Sequence, residues 1–327
     1  MEPVGGPRHS ALLMDNGAQQ WISAMREGDY ARAWALSARD LAARDPATRD
    51  DPRLPYHQRW VWDGRPFDGR HVLVRCYHGL GDTLQFARFL PTLTARAWRV
   101  TVEAPERLHS LLASADPAVT LAPFDHADPL PPAECDIEIT ELPFALRCRP
   151  DVVATPYLSV MPDVLPTGVI GLCHQGGDWD PGRSFDPLLL RGIAEANRCV
   201  TLVPEASPLP VLNPAGCAFT MEETAALVAA CDLVITVDTM IAHLAGALGR
   251  PTWLLLKAEP DWRWNPAATV TPWYPSMRLF VQQSPGDWAG VIARVHASLV
   301  ARNAPLINNE RSDHGNDCGT VGSRLLG

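Results

Sequence analysis

The residues Gly79-Leu80-Gly81-Asp82 stand between a short apolar run and a helical pattern. Glycines there permit a tight backbone path, and the N-terminus of the following helix offers free N–H groups. A carboxylate in the first helical turn is stabilised by the helix dipole, which suits Asp82 to draw a proton from a hydroxyl. The plainer reading is that Asp82 caps the helix. The stretch is not a dinucleotide fingerprint, because Leu84 stands where the third glycine would be and only Glu103 offers an acidic end to the next strand.

A second stretch, Asp238-Thr239-Met240-Ile241-Ala242-His243, follows the apolar run 233–237 directly. Open parallel sheets bind ligands at the carboxyl ends of their strands, where helix N-termini face a crevice. Thr239 and the N–H groups of Met240 and its neighbours would meet a phosphate there. His243 lies one turn deeper on the same face and can hydrogen-bond that anion or place charge beside it. A histidine in such a position is also commonly a satisfied, partly buried side chain.

The third is the loop 175–184, Gln-Gly-Gly-Asp-Trp-Asp-Pro-Gly-Arg-Ser. Arg183 could fork onto a phosphate, since a guanidinium matches that geometry. Asp178 and Asp180 have the alternate spacing by which two carboxylates hold a divalent ion, but nothing nearby completes a ligand set, and no metal is expected. Lys257, Asp261-Trp262-Arg263-Trp264 and Trp273-Tyr274-Pro275 then gather aromatics and cations. These suit either sugar or base stacking, or the packing seam of a loop.

The elements that position these groups alternate in type. Apolar runs at 72–77, 100–103, 119–123 and 136–141 read as strands, with helices over 83–95 and 106–115. After a proline-rich hinge at 150–166, runs at 169–173, 200–203, 233–237 and 252–256 read as strands. Helices are expected at 187–195, 221–230, 239–248 and 285–303. Strand–helix alternation implies parallel sheets with right-handed crossovers. Residues 17–45 read as two short helices, and Gly28-Asp29-Tyr30 with Ala33-Trp34 resembles part of one tetratricopeptide repeat. The expected organisation is a helical, repeat-like extension and linker (1–56), two α/β domains (57–162 and 163–303) and a disordered tail (304–327).

The chain has 327 residues, 46% hydrophobic and 20% charged, enough for two cores. A net charge of −9 argues against a broad nucleic-acid surface. Its 8 cysteines form no C-x-x-C pair and several sit in apolar runs, so they are expected to be reduced. No stretch approaches the ~20 apolar residues of a membrane span, and the N-terminus lacks a signal-peptide pattern. A cytoplasmic location is expected.

Taken together, these residues resemble glycosyltransferase family 9, the ADP-heptose:lipopolysaccharide heptosyltransferase-like proteins, in the branch joined to tetratricopeptide repeats. The likeness is carried by 79–91, by 232–251, and by 260–264 with 273–280, and it spans about residues 55–300. It implies a GT-B architecture: two Rossmann-like domains facing a cleft, with the last helix crossing back to the first. It implies inverting, metal-independent transfer from a nucleotide-diphosphate sugar, which serves as co-substrate with no other cofactor. By the same resemblance Asp82 is the base. Asp238, Thr239, Met240 and His243 contact the donor, and Arg183 matches a family Arg-Ser pair. Gly79, Gly81 and Lys257 complete the expected site. Gln175 and Glu205 stand at two donor-flanking positions where the sequence departs from its relatives. The acceptor would be a protein, peptide or glycan hydroxyl. A catalytically degenerate GT-B scaffold that binds a protein partner is the competing reading, and an epimerase of the same form lacks a clear second carboxylate.

Overall fold

The computed structural model describes residues 16–217 and 220–303. The expected tail at 304–327 lies outside them. Two helices, α1 (Asn16–Glu27) and α2 (Tyr30–Ala43), come first, and Asp29 caps α2 by accepting from the Arg32 N–H at 3.0 Å. A first sheet is built from β1 (His71–Arg75), β2 (Arg99–Ala104), β3 (Thr120–Pro123) and β4 (Cys135–Glu138). Its order is β3-β2-β1-β4, all parallel, with Val72 opposite Val100 and Cys135. Its helices are α3 (Leu80–Phe86), α4 (Leu90–Thr94), α5 (His109–Ala115) and α6 (Leu142–Leu146).

The second sheet holds β5 (Ile170–Cys173), β6 (Cys199–Thr201), β7 (Leu233–Val237), β8 (Thr252–Leu256) and β9 (Met277–Val281), in the order β6-β5-β7-β8-β9. All neighbours are parallel, with Ile235 opposite Leu172 and Trp253. Here the helices are α7 (Arg191–Ala196), α8 (Met221–Ala230), α9 (Met240–Ala247) and α10 (Trp288–Asn303). Runs such as Leu233–Val237 are buried on both faces, which is why they read as unbroken apolar segments rather than alternating ones.

Local chemistry explains where the sequence reading and the structure part. The strand expected over 136–141 stops at Glu138, whose carboxylate accepts from the Thr140 N–H at 2.7 Å and turns the chain into a 3-10 segment. The helix expected over 83–95 breaks into α3, a 3-10 turn and α4, with Pro91 removing a donor at the junction. Pro187 opens a 3-10 turn capped by Asp186, and the α-helix begins only at Arg191. Strand β9 was missed because it is an edge, with Arg278 exposed among apolar neighbours. Among the described residues the last helix packs on the second sheet and does not cross back to the first. Trp288, Val291, Ile292, Val295 and Leu299 of α10 pack in a cluster with Phe185, Leu190 and Ile193 on the second.

A larger core runs through both halves, joining Val72 and Leu84 of the first to Ala245 and Trp273 of the second. The hinge is tied into it: the Tyr157 and Leu158 N–H groups both donate to the Ala247 carbonyl, at 3.0 and 3.2 Å. In the first sheet a buried Arg75 bridges Glu103 at 2.7 Å and Asp136 at 2.9 Å, locking β1 to both neighbours. No described helix is long and apolar enough to cross a membrane. The seven described cysteines are free thiols.

Helix α9 depends on Gly246, because a methyl group there would meet the Tyr274 ring at 2.4 Å. Alanine's better helix propensity, about 1 kcal/mol, is outweighed by the clash. Gly246→Ala should destabilise the protein by about 1–3 kcal/mol, read from the midpoint of urea unfolding.

Candidate active site

The order β6-β5-β7 reverses between β5 and β7, so the loops leaving their carboxyl ends diverge and open a crevice. A cavity of about 240 Å³ lies there, lined by Gln175 and Gly176 after β5, Glu205 after β6, and Thr239 and Met240 at the start of α9. Arg107, from the first half, forms part of the same wall. Thr239 precedes α9 with an extended backbone and makes no side-chain cap. Thr239, Met240 and Ile241 at the start of α9 line the cavity, and the first N–H groups of a helix, lacking intrahelical partners, favour an anion. Gly216 holds the Glu205 loop in place: its φ of +109° and its closeness to the Pro204 carbonyl, 2.0 Å from a notional Cβ, exclude any side chain.

The start of α3 abuts the start of α9. A methyl group on Gly81 would lie 2.9 Å from His243 Cδ2 and 3.3 Å from Met240 Cα, so glycine is what allows the two helix ends to meet. Asp82 stands at this junction. One carboxylate oxygen accepts from the Gly79 N–H at 3.2 Å, and the other is ion-paired with Arg263. Arg263 comes from the loop after β8, so this pair joins the halves. Its guanidinium also donates to Gln85 Oε1 at 2.6 Å and to Asp261 at 2.8 Å, and stacks over Trp262 at 4.5 Å. Helix α1 supports that loop, with Arg26 donating to the Pro260 carbonyl at 2.7 Å and Trp21 packed edge-on against Trp262.

Four expected site residues take more structural positions than their sequence suggested. His243 is buried, with Nδ1 3.1 Å from the Tyr274 hydroxyl and its ring stacked on Trp264. Burial first, then the cations of Arg263, Arg88 and Arg183, hold its pKa well below the ordinary value. It is a neutral imidazole, not a positive charge. Arg183 donates to the carbonyls of Asp238 at 2.7 Å and Gly177 at 3.3 Å, tying the loops after β5 and β7 together rather than presenting a fork to the cavity. Lys257 donates to Asp180 at 2.7 Å and fastens the same loop, which also commits one carboxylate of the Asp178–Asp180 pair. Asp238 is buried, and desolvation together with the negative Asp261 pushes its pKa up to about 6.

Trp264, Trp273 and Tyr274 are buried in the core, which decides for packing over sugar stacking at those rings. Glu103 is occupied by Arg75.

Sequence reasoning missed several residues that shape the site. Arg263 was seen only as part of an aromatic–cation cluster. Arg88 is buried and donates to the Trp273 carbonyl at 2.6 Å, beneath the α3–α9 junction. His78, beside the glycine turn, places Nδ1 2.9 Å from Glu138 at the end of β4. No spacing rule pairs residues 60 apart in sequence; the adjacency of β1 and β4 does.

These features define an α/β protein with two parallel sheets and a cleft at the start of α9. The particular likeness is to glycosyltransferases. Residues 212–281, containing β7, α9 and β8, match the model of glycosyltransferase family 9 (heptosyltransferase). The protein FlbA of Caulobacter vibrioides is 25% identical over 347 residues, covering 91% of this chain, which spans 56% of that relative's length. Among solved structures, heptosyltransferase II of E. coli is 16% identical with a TM-score of 0.49, covering 72% of this chain and 100% of that one. A family 9 glycosyltransferase of Veillonella parvula is 12% identical, also at 0.49, covering 73% and 99%. E. coli heptosyltransferase WaaC, solved with ADP-2-deoxy-2-fluoro heptose, is 14% identical at 0.47, covering 72% and 100%.

Asp238 offers a test of the site's electrostatics. A carboxyl whose folded pKa lies near 6, above its ordinary 3.8, adds stability at low pH that is lost as pH rises through that window. Asp238→Asn removes the titration. Its stability relative to the parent should therefore rise by about 2–3 kcal/mol between about pH 4 and pH 7.5, measured by denaturant unfolding at each pH.

Proposed function

We propose that this chain transfers a sugar from a nucleotide-diphosphate donor to a hydroxyl acceptor, with inversion and without a metal ion, on a GT-B arrangement of its two sheets. The observation that carries this reading is the meeting of two helix starts at Gly81, which sets an acidic side chain beside an anion-receiving end.

In this reading the diphosphate lies on the first-turn N–H groups of α9, with Arg107 adding positive charge. The nucleoside enters the cavity between Gln175 and Glu205, where a carboxylate suits ribose hydroxyls. The acceptor hydroxyl approaches from the first sheet. Asp82 polarises it and helps remove its proton, and the oxygen attacks the anomeric carbon on the face opposite the leaving phosphate. Charge growing on the departing diphosphate is met by donors that are already fixed in place, so little reorganisation is needed as the bond breaks. His243, neutral and held by Tyr274, keeps the start of α9 in position. Arg183 and Lys257 brace the loops around the donor. Gly79 and Gly81 allow the backbone to close in. The acceptor is a protein, peptide or glycan hydroxyl, and the reaction is placed in the cytoplasm.

The test is turnover of a panel of ADP-, UDP- and GDP-sugars, with Asp82→Asn alongside. The parent should release nucleoside diphosphate, and Asp82→Asn should lower kcat by about 10²–10⁴-fold. A matching donor at about 100 times its Kd should add about 2.7 kcal/mol to thermal stability. No turnover together with no thermal shift from any donor would defeat the reading and favour a protein-binding scaffold.

A further inference from the structure

At the first sheet the order β3-β2-β1-β4 also reverses, between β1 and β4, and two titratable groups meet at that switch point. His78 follows β1 by three residues, and Glu138 closes β4. Glu138 is buried, with a side chain 1% exposed, whereas that of His78 is 31% exposed. One Glu138 oxygen is fixed by the Thr140 N–H at 2.7 Å. The other lies 2.9 Å from His78 Nδ1. His78 Nε2 carries no hydrogen bond among the described residues. A buried carboxylate thus holds one ring nitrogen and leaves the other available, the arrangement that fixes an imidazole's tautomer and stabilises the imidazolium when a proton arrives.

Four residues further on stands Asp82, whose two oxygens are already engaged by the Gly79 N–H and by Arg263. A carboxylate so engaged can still polarise a hydroxyl. Resting on the transfer reaction proposed above, we infer that His78, oriented by Glu138, is a further acid–base residue whose Nε2 receives the proton of the acceptor hydroxyl. The acceptor's O–H bond breaks toward Nε2 as its oxygen bonds the anomeric carbon. The bond from that carbon to the diphosphate oxygen breaks, and its electron pair leaves on the phosphate. Nδ1–H stays directed at Glu138, which offsets the new positive charge.

The electrostatics agree. Burial lowers the His78 pKa, but the hydrogen bond and charge of Glu138, aided by Asp82, outweigh burial and the opposing cation of Arg263, so the net shift is upward. A general base works in its neutral form, so turnover should fall as pH drops through the His78 titration.

The experiment is the pH profile of kcat with the donor found in the panel, for the parent, His78→Ala, His78→Gln and Glu138→Gln, with far-UV spectra and melting curves confirming that each folds. His78 is partly exposed, so its variants should fold. Both should lose about 10²-fold or more in kcat, keep donor KM within about twofold, and lose the acidic limb. Glu138→Gln should move that limb to lower pH, because the upward pull is gone. If it does not fold, the two His78 variants still decide the matter. Parental kcat and an unchanged acidic limb in them would overturn the role of His78 while leaving sugar transfer standing. Absence of turnover in the parent, together with no thermal shift from any donor, would overturn both.

Discussion

The close approach of α3 and α9 at Gly81 is the constraint on which the site rests. Two helix starts brought together concentrate partial positive charge, an arrangement that is unfavourable unless anions lie between or beside them. Asp82 supplies one anion from within the protein. The cavity at the other side of α9 is open to a second from outside. The sheet orders place both helix ends at their respective switch points, where open parallel sheets commonly bind ligands.

Arginines then fix the geometry. Arg263 reaches from the second half to Asp82 and Gln85 of the first, while Arg88 reaches from the first half to Trp273 of the second. Each crosses the same seam in the opposite direction. Buried guanidiniums are costly unless their donors are matched, which makes such crossings sensitive to relative displacement of the halves. The helix pair at the N-terminus enters here too: through Arg26 and Trp21 it steadies the loop that bears Arg263, and through Trp34 it packs on Phe144 of the first half. It acts as a brace across the cleft's flank.

Burial converts several residues from the roles their types suggested. His243 loses its charge and becomes a spacer between Tyr274 and the start of α9. Arg183 spends its donors on two carbonyls, so the loops after β5 and β7 become one rigid wall. The cavity wall is largely apolar, with Leu202, Val203 and Met221 beside the polar Arg107, Gln175 and Glu205.

The sequence by itself determined the strand–helix alternation, the bounds of α8, β7 and β8, and the glycine-rich start of α3. Those features are set by nearest neighbours along the chain: apolar runs buried on both faces, capping residues, and glycine where backbones touch. It also marked Asp82 and Thr239 as helix-start residues, which is a local property. Tertiary structure decided what those residues meet. The pairing of His78 with Glu138, of Asp82 with Arg263, and the burial that neutralises His243 join positions far apart in sequence. Their energies depend on desolvation and on charges contributed by other elements, and no pattern along one segment carries that information. The edge strand β9 and the course of α10 were decided the same way, by which apolar face remained to be covered after the rest had packed.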